Sequence, residues 1–243
     1  MKTLIFAKRC AKEILRDPIN LIFGLGFPVV LLLLLSLIQA NIPVSLFEIQ
    51  HLAPGISVFG LSFITLFSAT LIARDRENAF LQRLYTTPLK AIDFLGGYML
   101  SVIPIALGQC VVCYMTAFIL GLPISIQVVY TVFSIMPISV LYIALGLLCG
   151  SVFNVKQVGG ICGGLLTNLS AWLSGVWFDL ELVGGTFSKI ANALPFVHAV
   201  DVERAMLKGE YADAIYHLYP VLGYSLVIFI AAVLIFFRQM NKQ

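Results

Sequence analysis

The sequence predicts an all-α integral membrane protein with six transmembrane helices, and three observations support this fold class. The chain of 243 residues is 60% hydrophobic and only 11% charged, whereas soluble domains carry about 25% charged residues. Its uncharged runs are long enough for helices of about 20 residues, the length that crosses a bilayer. Its basic residues are concentrated in alternate loops, which is typical of multi-pass membrane proteins.

Residues 1–17 predict an amphipathic helix that lies in the membrane interface. At 100° per residue, apolar side chains collect on one side of this helix and Lys8, Arg9, Lys12 and Arg16 on another. The helix ends at Asp17, because the residue before a proline avoids the helical region. It serves either as a membrane anchor or as a contact for a partner.

The uncharged intervals place the six spans. The interval 94–155 is too long for one helix, and the turn signal at Gly121–Pro123 divides it. The predicted spans are 19–39, 54–73, 95–120, 126–151, 157–178 and 217–237. We interpret the first span as retained rather than as a cleaved leader, because no A-x-A cleavage site follows it.

The distribution of basic residues predicts the orientation. Of the fifteen Lys and Arg residues, only Lys189, Arg204 and Lys208 fall on one side of the predicted membrane, between the fifth and sixth spans. The other twelve lie on the opposite side, at the two termini and in the loops after the second and fourth spans. Since basic loops stay inside, both termini are predicted to be cytoplasmic.

Residues 74–93 interrupt the apolar sequence with seven charged side chains. The positive-inside rule explains the four basic ones but not Asp75, Glu77 and Asp93. Apolar residues between Asn78 and Tyr85 recur at helical spacing, and a proline follows at position 88. This pattern predicts a short amphipathic helix that either docks onto a soluble protein or rests on lipid headgroups.

Small and polar residues mark two of the spans. In the fifth span, Gly159 and Gly163, and likewise Gly160 and Gly164, form two overlapping GxxxG pairs, a spacing that lets helices approach closely in lipid. Polar side chains follow at Asn168 in this span and occur at Ser62 and Thr65 in the second span. We interpret these seven residues as a helix-packing or dimer surface, or as part of a transport pathway.

The external segment 179–216 has two apolar helical faces separated by Pro195. This arrangement predicts two short helices, hinged at Pro195, that dip into the outer leaflet like a re-entrant segment. Asp201 and Arg204 lie one helical turn apart, so their side chains are expected to pair.

The sequence favours no catalytic site. His198 and Asp201 could offer two metal ligands, but no third ligand follows at a suitable spacing, so no metal site is predicted. The chain has no GxxxxGK[ST] motif and is therefore not expected to bind ATP itself. No acidic or basic residue falls within a predicted span, which argues against proton-coupled transport. Cys110 and Cys113 form a CxxC in the middle of a span, where we expect packing rather than redox chemistry.

Two motifs resemble the ABC-2 type, the six-helix permease family of bacterial ABC exporters. The stretch RDRENAFLQRLYTTPLKAIDFLGGYML is similar to the charged loop of that family, matching at Arg76, Glu77, Thr87 and Pro88. Ala79-Phe80 stands where the family usually has Gly-Thr. The stretch ALPFVHAVDVERAML resembles the pattern before the last span, matching at Pro195, Asp201 and Arg204.

The resemblance implies that ATP binding and transport are carried out by different chains. A separate ATP-binding subunit, in two copies, would hold ATP and Mg²⁺ and receive the charged loop as a coupling helix. The residues assigned to coupling are Arg74, Asp75, Arg76, Glu77, Phe80, Leu84, Thr87 and Pro88. Two permease chains, identical or similar, would pair in a bacterial inner membrane with the second and fifth helices near the axis. The helices around Pro195 would close the outer mouth, transport would be export, and nucleic acid is not an expected partner.

Other functions are also compatible with the sequence. One is an intramembrane enzyme that acts on lipid or peptide at the His198–Asp201 region. Another is a passive channel or membrane scaffold whose charged loop docks a regulator. Within the exporter class, an apolar or amphipathic drug, peptide or lipid suits so apolar a chain, and a glycan-lipid exporter of the same architecture is the alternative.

Overall fold

In the computed structural model, residues 2–42, 47–78, 91–178 and 180–240 are described, and all regular structure in these ranges is helical. Helix α1 spans Lys2–Leu15. After Asp17, helix α2 (Pro18–Leu21) continues through a π-helical turn π1 (Ile22–Gly26) into α3 (Phe27–Gln39). Pro18 suits the first position of a helix, where no backbone N–H is needed. The chain therefore enters its first span directly after the interface helix.

The remaining helices are described in chain order. The long helices are α4 (Ile49–Glu77), α5 (Ala91–Ile119) and α6 (Ile126–Val152). The next helical run consists of α7 (Val155–Val158), π2 (Gly159–Leu166) and α8 (Thr167–Leu173). The short helices α9 (Leu180–Val183), α10 (Gly185–Ala193) and α11 (Pro195–Lys208) precede the last long helix, α12 (Tyr211–Met240). Hydrogen bonds from Arg9 to Asp75 and from Gln239 to the Ser151 carbonyl place α1 and the end of α12 at one end of the bundle, called here the α1 end. The contact of Glu203 with Ser57 places α11 at the other end, called the α11 end.

Five helices within the described residues are long and apolar enough to cross a membrane, and each overlaps one of the six predicted spans. These are Ile22–Gln39, Ile49–Glu77, Ile92–Ile119, Ile126–Val152 and Tyr211–Gln239. The predicted fifth span, 157–178, forms the run Val155–Leu173, whose glycines and polar residues make it less apolar. It ends five residues early because Gly175 adopts a left-handed backbone (φ +67°) that turns the chain.

Two helices are longer than expected at ends that carry charge. Helix α4 runs to Glu77 rather than ending at residue 73, so Arg74–Glu77 form its last turn instead of a loop. Helix α12 begins at Tyr211 rather than at residue 217, with Asp213 in its first turn. An acidic side chain favours a helix N-terminus, which stabilises the extension of α12. The last turn of α4 has two basic and two acidic residues, so the helix dipole does not explain its extension.

Helix α4 is the centre of the fold, and most of its residues are buried. It packs most extensively against α6. Gly146 and Gly150 of α6 allow this approach, since a Cβ on Gly146 would overlap the Ser68 side chain and one on Gly150 the backbone of Ala69. Thr65 Oγ1 also donates a hydrogen bond to the Tyr142 carbonyl across 2.8 Å. A GxxxG pair in α6 therefore allows a close contact between α6 and α4.

At the α11 end, the chain bends sharply between α10 and α11. Leu194 is extended (φ −99°, ψ 155°), and Pro195 begins α11. Most of α11 is buried against α12, α6 and α4. Gly209 then takes a left-handed conformation (φ +82°) that joins α11 to α12. The hinge predicted at Pro195 therefore separates two short helices, and the second of them lies inside the bundle.

Candidate functional site

The last turn of α4 is bound to α1 and α5 through one buried carboxylate. Asp75 is 1% exposed. It accepts hydrogen bonds from Arg9 Nη1 at 2.7 Å and Arg9 Nη2 at 2.9 Å, and from the Tyr98 hydroxyl at 2.7 Å. A bidentate guanidinium–carboxylate pair is among the stronger polar contacts in proteins. Asp75 thus fixes the interface helix α1 against the bundle.

The pKa shifts of Arg9 and its neighbours agree with the contact between Arg9 and Asp75. Partial burial would lower the pKa of Arg9, but the hydrogen bonds and charge of Asp75 outweigh it and raise the pKa above its ordinary value. Burial, with a smaller contribution from the charge of Asp75, raises the pKa of Glu13, which pairs with Arg9 at 2.8 Å. Burial also raises the pKa of the neighbouring Cys10 thiol to about 12. Cys10 is therefore an unreactive thiol while α1 stays in place.

Arg76 and Glu77 contact the junction between α6 and α7. Arg76 Nη1 donates to the Gly150 carbonyl at 2.8 Å and the Phe153 carbonyl at 3.4 Å, both at the C-terminal end of α6. Glu77 Oε1 accepts a hydrogen bond from the Val155 backbone N–H at 2.9 Å, at the first residue of α7. A cation at a helix C-terminus and an anion at an N-terminus are each favourable. The end of α4 therefore holds the ends of two consecutive helices.

The other residues that the sequence assigned to coupling lie in different environments. Arg74 forms an ion pair with Asp17 at 3.0 Å, and its side chain is 47% exposed. Asp75 is enclosed by its own chain and presents no surface to another protein. The predicted coupling residues Phe80, Leu84, Thr87 and Pro88, with most of the predicted amphipathic helix, lie outside the described residues.

The residues predicted for the external gate meet at the α11 end. Asp201 Oδ1 lies 3.9 Å from Arg204 Nη1, so the expected pair forms with a long distance. Arg204 Nη2 also donates to the Gly175 carbonyl at 2.9 Å, which links α11 to the turn after α8. Burial raises the pKa of Asp201, although the nearby positive charges oppose it. Together with His51, both residues line a cavity of about 790 Å³.

A buried acid, Glu203, lies at the centre of the α11 contacts and was not predicted. It is fully buried. Its carboxyl oxygens accept hydrogen bonds from Ser134 Oγ at 2.7 Å, Tyr114 Oη at 3.2 Å and Ser57 Oγ at 3.3 Å, which belong to α6, α5 and α4. Burial raises the pKa of Glu203 to about 8, and the three hydrogen bonds oppose that shift. The sequence does indicate that Glu203 is buried, since position 203 lies on the apolar helical face with Ala199 and Met206.

The residues predicted as a packing surface divide into two groups. Ser62 and Thr65 are buried within the chain. By contrast, a Cβ added to Gly159, Gly160 or Gly164 would meet no described atom within 4 Å. Gly163 is the exception, since its Cβ would lie 3.4 Å from the Leu66 side chain.

The polar residues of the fifth helical run divide in the same way. Asn168 is exposed and donates to the Gly164 carbonyl of its own helix at 2.8 Å. Ser170 is buried, and its hydroxyl lies 3.2 Å from that of Tyr142 in α6. The described chain therefore covers one face of this run and leaves its glycine face open.

The fold and the charged end of α4 define a multi-pass membrane domain of the transporter type. The family described as ABC-2 type transporter matches residues 1–211. This match covers most of the chain, so the chain belongs to the ABC-2 transporter membrane-domain family, which typically lacks an ATPase domain. The predicted resemblance to this family is thereby confirmed. No curated protein matches the sequence.

Proposed function

We propose that this chain is the permease subunit of an ATP-driven exporter, with both termini in the cytoplasm of a bacterial cell and the α11 end outside. Two copies of a separate ATP-binding subunit supply the energy and bind ATP and Mg²⁺. The single observation that supports this most directly is the last turn of α4. It immediately precedes the segment 79–90 and binds the ends of α6 and α7.

The contacts of that turn suggest how movement would pass into the membrane. A subunit that moves the segment 79–90 also moves Arg76 and Glu77, because they adjoin it in the chain. These side chains hold the C-terminal carbonyls of α6 and the first N–H of α7. A displacement at the cytoplasmic side would therefore reorient two spans at once, which is what a switch between two packed arrangements requires.

We further propose that two permease chains pair through the open glycine face of π2. The resemblance implied that the second and fifth helices lie near the dimer axis. Helix α4 is enclosed by its own chain, so the fifth helical run offers the larger free surface. Small residues are typical of helix contacts in lipid, where close backbone approach replaces the hydrophobic effect as the driving force.

The apolar surfaces of the bundle support a proposed class of cargo. A groove of about 690 Å³ lies between α1 and α5, and its lining is apolar apart from Lys8 and Ser101. Such a lining suits an amphipathic or hydrophobic molecule, a drug, peptide or lipid, better than a free sugar. The proposed direction is out of the cytoplasm or the inner leaflet.

Charge reversal at Arg76 and Glu77 tests the coupling proposal. We expect the Arg76→Glu and Glu77→Lys variants to insert normally but to separate ATP hydrolysis from transport. Typical coupling free energies correspond to changes of about 5- to 150-fold, so transport per ATP should fall by about tenfold or more. The measurement compares ATPase and transport rates in proteoliposomes that contain the permease with the ATP-binding subunit co-purified from its own host.

The control for this experiment lies at the same end of the bundle. Arg238→Gln changes an exposed basic side chain of α12, a surface substitution that usually alters stability by no more than about 0.5 kcal/mol, and it should leave the ratio of transport to hydrolysis unchanged. Full transport in both reversal variants would refute the coupling role. A permease that purifies alone and monomeric, even after crosslinking, would refute the exporter assignment itself.

The Gly160→Leu variant tests the dimer surface. Because a Cβ at this position meets no described atom of its own chain, the variant should change the free energy of unfolding by no more than about 1 kcal/mol. It should nevertheless reduce the crosslinked dimer strongly, which quantitative crosslinking in membranes would measure. Gly163→Leu is the matched comparison for packing within the chain. A Cβ at this position would contact the Leu66 side chain, so this variant also disturbs the contact between π2 and α4. An unchanged dimer yield in Gly160→Leu would exclude this face as the interface.

A further inference from the structure

Two imidazoles and a carboxylate converge between α11 and α12. His198 is in the first turn of α11, Asp201 is one turn later, and His217 is in the second turn of α12. One ligand atom from each of the three residues lies within 4.8 Å of the others. His198 Nδ1 lies 2.9 Å from His217 Nδ1, and Asp201 Oδ2 lies 4.0 Å from the same His217 nitrogen. The third ligand missing from the sequence pattern is thus supplied by a different helix.

The second nitrogen of His198 fixes which of its atoms can bind a cation. His198 Nε2 lies 3.0 Å from the Asn192 carbonyl oxygen. A carbonyl can only accept a hydrogen bond, so Nε2 bears the hydrogen of the neutral ring. Nδ1 then has the lone pair and accepts a hydrogen bond from His217 Nδ1–H across 2.9 Å. Metal binding would displace that hydrogen, which is released or moves to Nε2 of His217. Metal-binding histidines typically donate their other ring N–H to a carbonyl or carboxylate, as His198 does through Nε2.

The two carboxylate oxygens of Asp201 face different neighbours. Oδ1 lies 3.9 Å from Arg204 Nη1, whereas Oδ2 faces His217. One oxygen therefore remains directed at the imidazoles while the other interacts with the guanidinium. Monodentate coordination by Oδ2 needs no rearrangement of Arg204.

The distances and the access route agree with a metal site. Two ligand atoms at about 2.0–2.2 Å from one tetrahedral Zn²⁺ lie about 3.3–3.6 Å apart. The two imidazole nitrogens, 2.9 Å apart, would separate by about 0.5 Å to admit the ion, and a rotation of the Asp201 carboxylate brings in the third ligand. Asp201 and His217 both line the cavity of about 790 Å³ at the α11 end, which offers an entry path.

We propose that His198 Nδ1, His217 Nδ1 and Asp201 Oδ2 bind one divalent transition-metal ion per chain. Imidazole ligands suit Zn²⁺ and its first-row neighbours, whereas Mg²⁺ and Ca²⁺ prefer sites made of oxygen alone. The bound ion would join α11, the proposed outer gate helix, to α12, the last span. Metal binding would therefore hold the α11 end in the arrangement seen here.

The test is a Zn²⁺ titration of the full chain, purified in detergent and stripped with a chelator. Calorimetry should give one Zn²⁺ per chain, with no competition from Mg²⁺ in large excess. Since loss of an outer-shell partner alone costs about 10- to 100-fold in metal affinity, His198→Ala and His217→Ala should each weaken binding by more than about 100-fold. Thermal unfolding should show a Zn²⁺-dependent rise of the midpoint in the wild type that both variants lack.

The third histidine provides a matched control. His51 lines the same cavity but is outside the three-residue cluster, so His51→Ala should bind Zn²⁺ like the wild type. Should a histidine variant fold poorly, Asp201→Asn tests the same site with a side chain of nearly the same shape, and weaker binding is expected. Absence of saturable Zn²⁺ binding to the wild type would overturn the proposal, as would binding retained in both histidine variants or lost equally in His51→Ala. Because the titration needs neither ATP nor a partner chain, its outcome is independent of the exporter assignment.

Discussion

Replacing Asp75 with alanine is expected to detach helix α1 from the bundle. The variant removes the acceptor of three hydrogen bonds and leaves the Tyr98 hydroxyl, in a fully buried side chain, without its partner. Removing one member of a buried ion pair costs about 3–5 kcal/mol. The Arg9 side chain is 35% exposed, so a loss of stability near the lower end of that range is expected.

A thiol next to the ion pair reports the detachment directly. Cys10 is fully buried in the folded chain, and its pKa of about 12 keeps it protonated. We therefore expect Cys10 to resist a maleimide reagent in the wild type and to be labelled in Asp75→Ala. Mass spectrometry of the labelled peptide distinguishes Cys10 from the other four cysteines.

An exposed acid in the same charged group is the matched control for Asp75→Ala. Glu13 pairs with Arg9 at 2.8 Å, but its side chain is 37% exposed. Glu13→Gln should therefore change the free energy of unfolding by less than about 1 kcal/mol and leave Cys10 protected. Equal labelling of Cys10 in the wild type and in Asp75→Ala would show that Asp75 does not hold α1.

Local sequence rules were sufficient for the elements whose formation depends on their own residues. The interface helix, the long apolar spans and the break at Pro195 all follow from helical periodicity, uncharged runs and the backbone limits of proline. The ends of α4 and of the fifth helical run could not be predicted in the same way. Arg76 and Glu77 extend α4 because they bind α6 and α7, and that contact exists only in the packed bundle.

The environments of individual polar and glycine residues could be predicted even less well than the helix ends, because they depend on how the helices pack. Asp75 stands between two arginines in the sequence, as an exposed residue would, yet its carboxylate is buried under Arg9, which is 66 positions away. The GxxxG pairs of π2 and the pair Gly146 and Gly150 have the same spacing, but only the latter packs closely within the chain. His217 completes a cluster with His198 from another helix, so no spacing rule could have identified it.

Helix α11 shows why the buried acid has functional interest. Glu203 contacts three long helices on one side of α11, while His198 and Asp201 face α12 on the other. A movement of α11 away from these three helices would therefore have to expose or repack Glu203. The protonation state of this carboxyl is expected to influence how firmly α11 is held.

The second large effect is expected for Glu203→Gln and depends on pH. Burial raises the pKa of Glu203 from an ordinary value of 4.5 to about 8. Between these two values the unfolded chain has lost the proton that the folded chain retains, so the wild type should lose stability as the pH rises from 4.5 to 8. Below 4.5 both states are protonated and above 8 both are ionised, so outside this window Glu203 adds no pH dependence. At 1.36 kcal/mol per pH unit, the difference has an upper limit of roughly 5 kcal/mol.

Glutamine keeps the shape of the neutral acid and cannot ionise, so Glu203→Gln should match the wild type near pH 5 and exceed its stability near pH 8. The geometry accommodates a neutral side chain, because Ser57 and Ser134 can direct their hydroxyl hydrogens at the Pro54 and Thr131 carbonyls, 2.8 Å and 2.7 Å away. Each serine oxygen is then able to accept a hydrogen bond from the protonated acid or the amide. Thermal unfolding in detergent at the two pH values measures the effect, and Glu210→Gln, at an exposed position of the same end, controls for net charge. If the difference between the wild type and Glu203→Gln did not change with pH, Glu203 would have to be ionised in the folded chain, and α11 would be held by a buried charge instead of a neutral hydrogen-bonded acid.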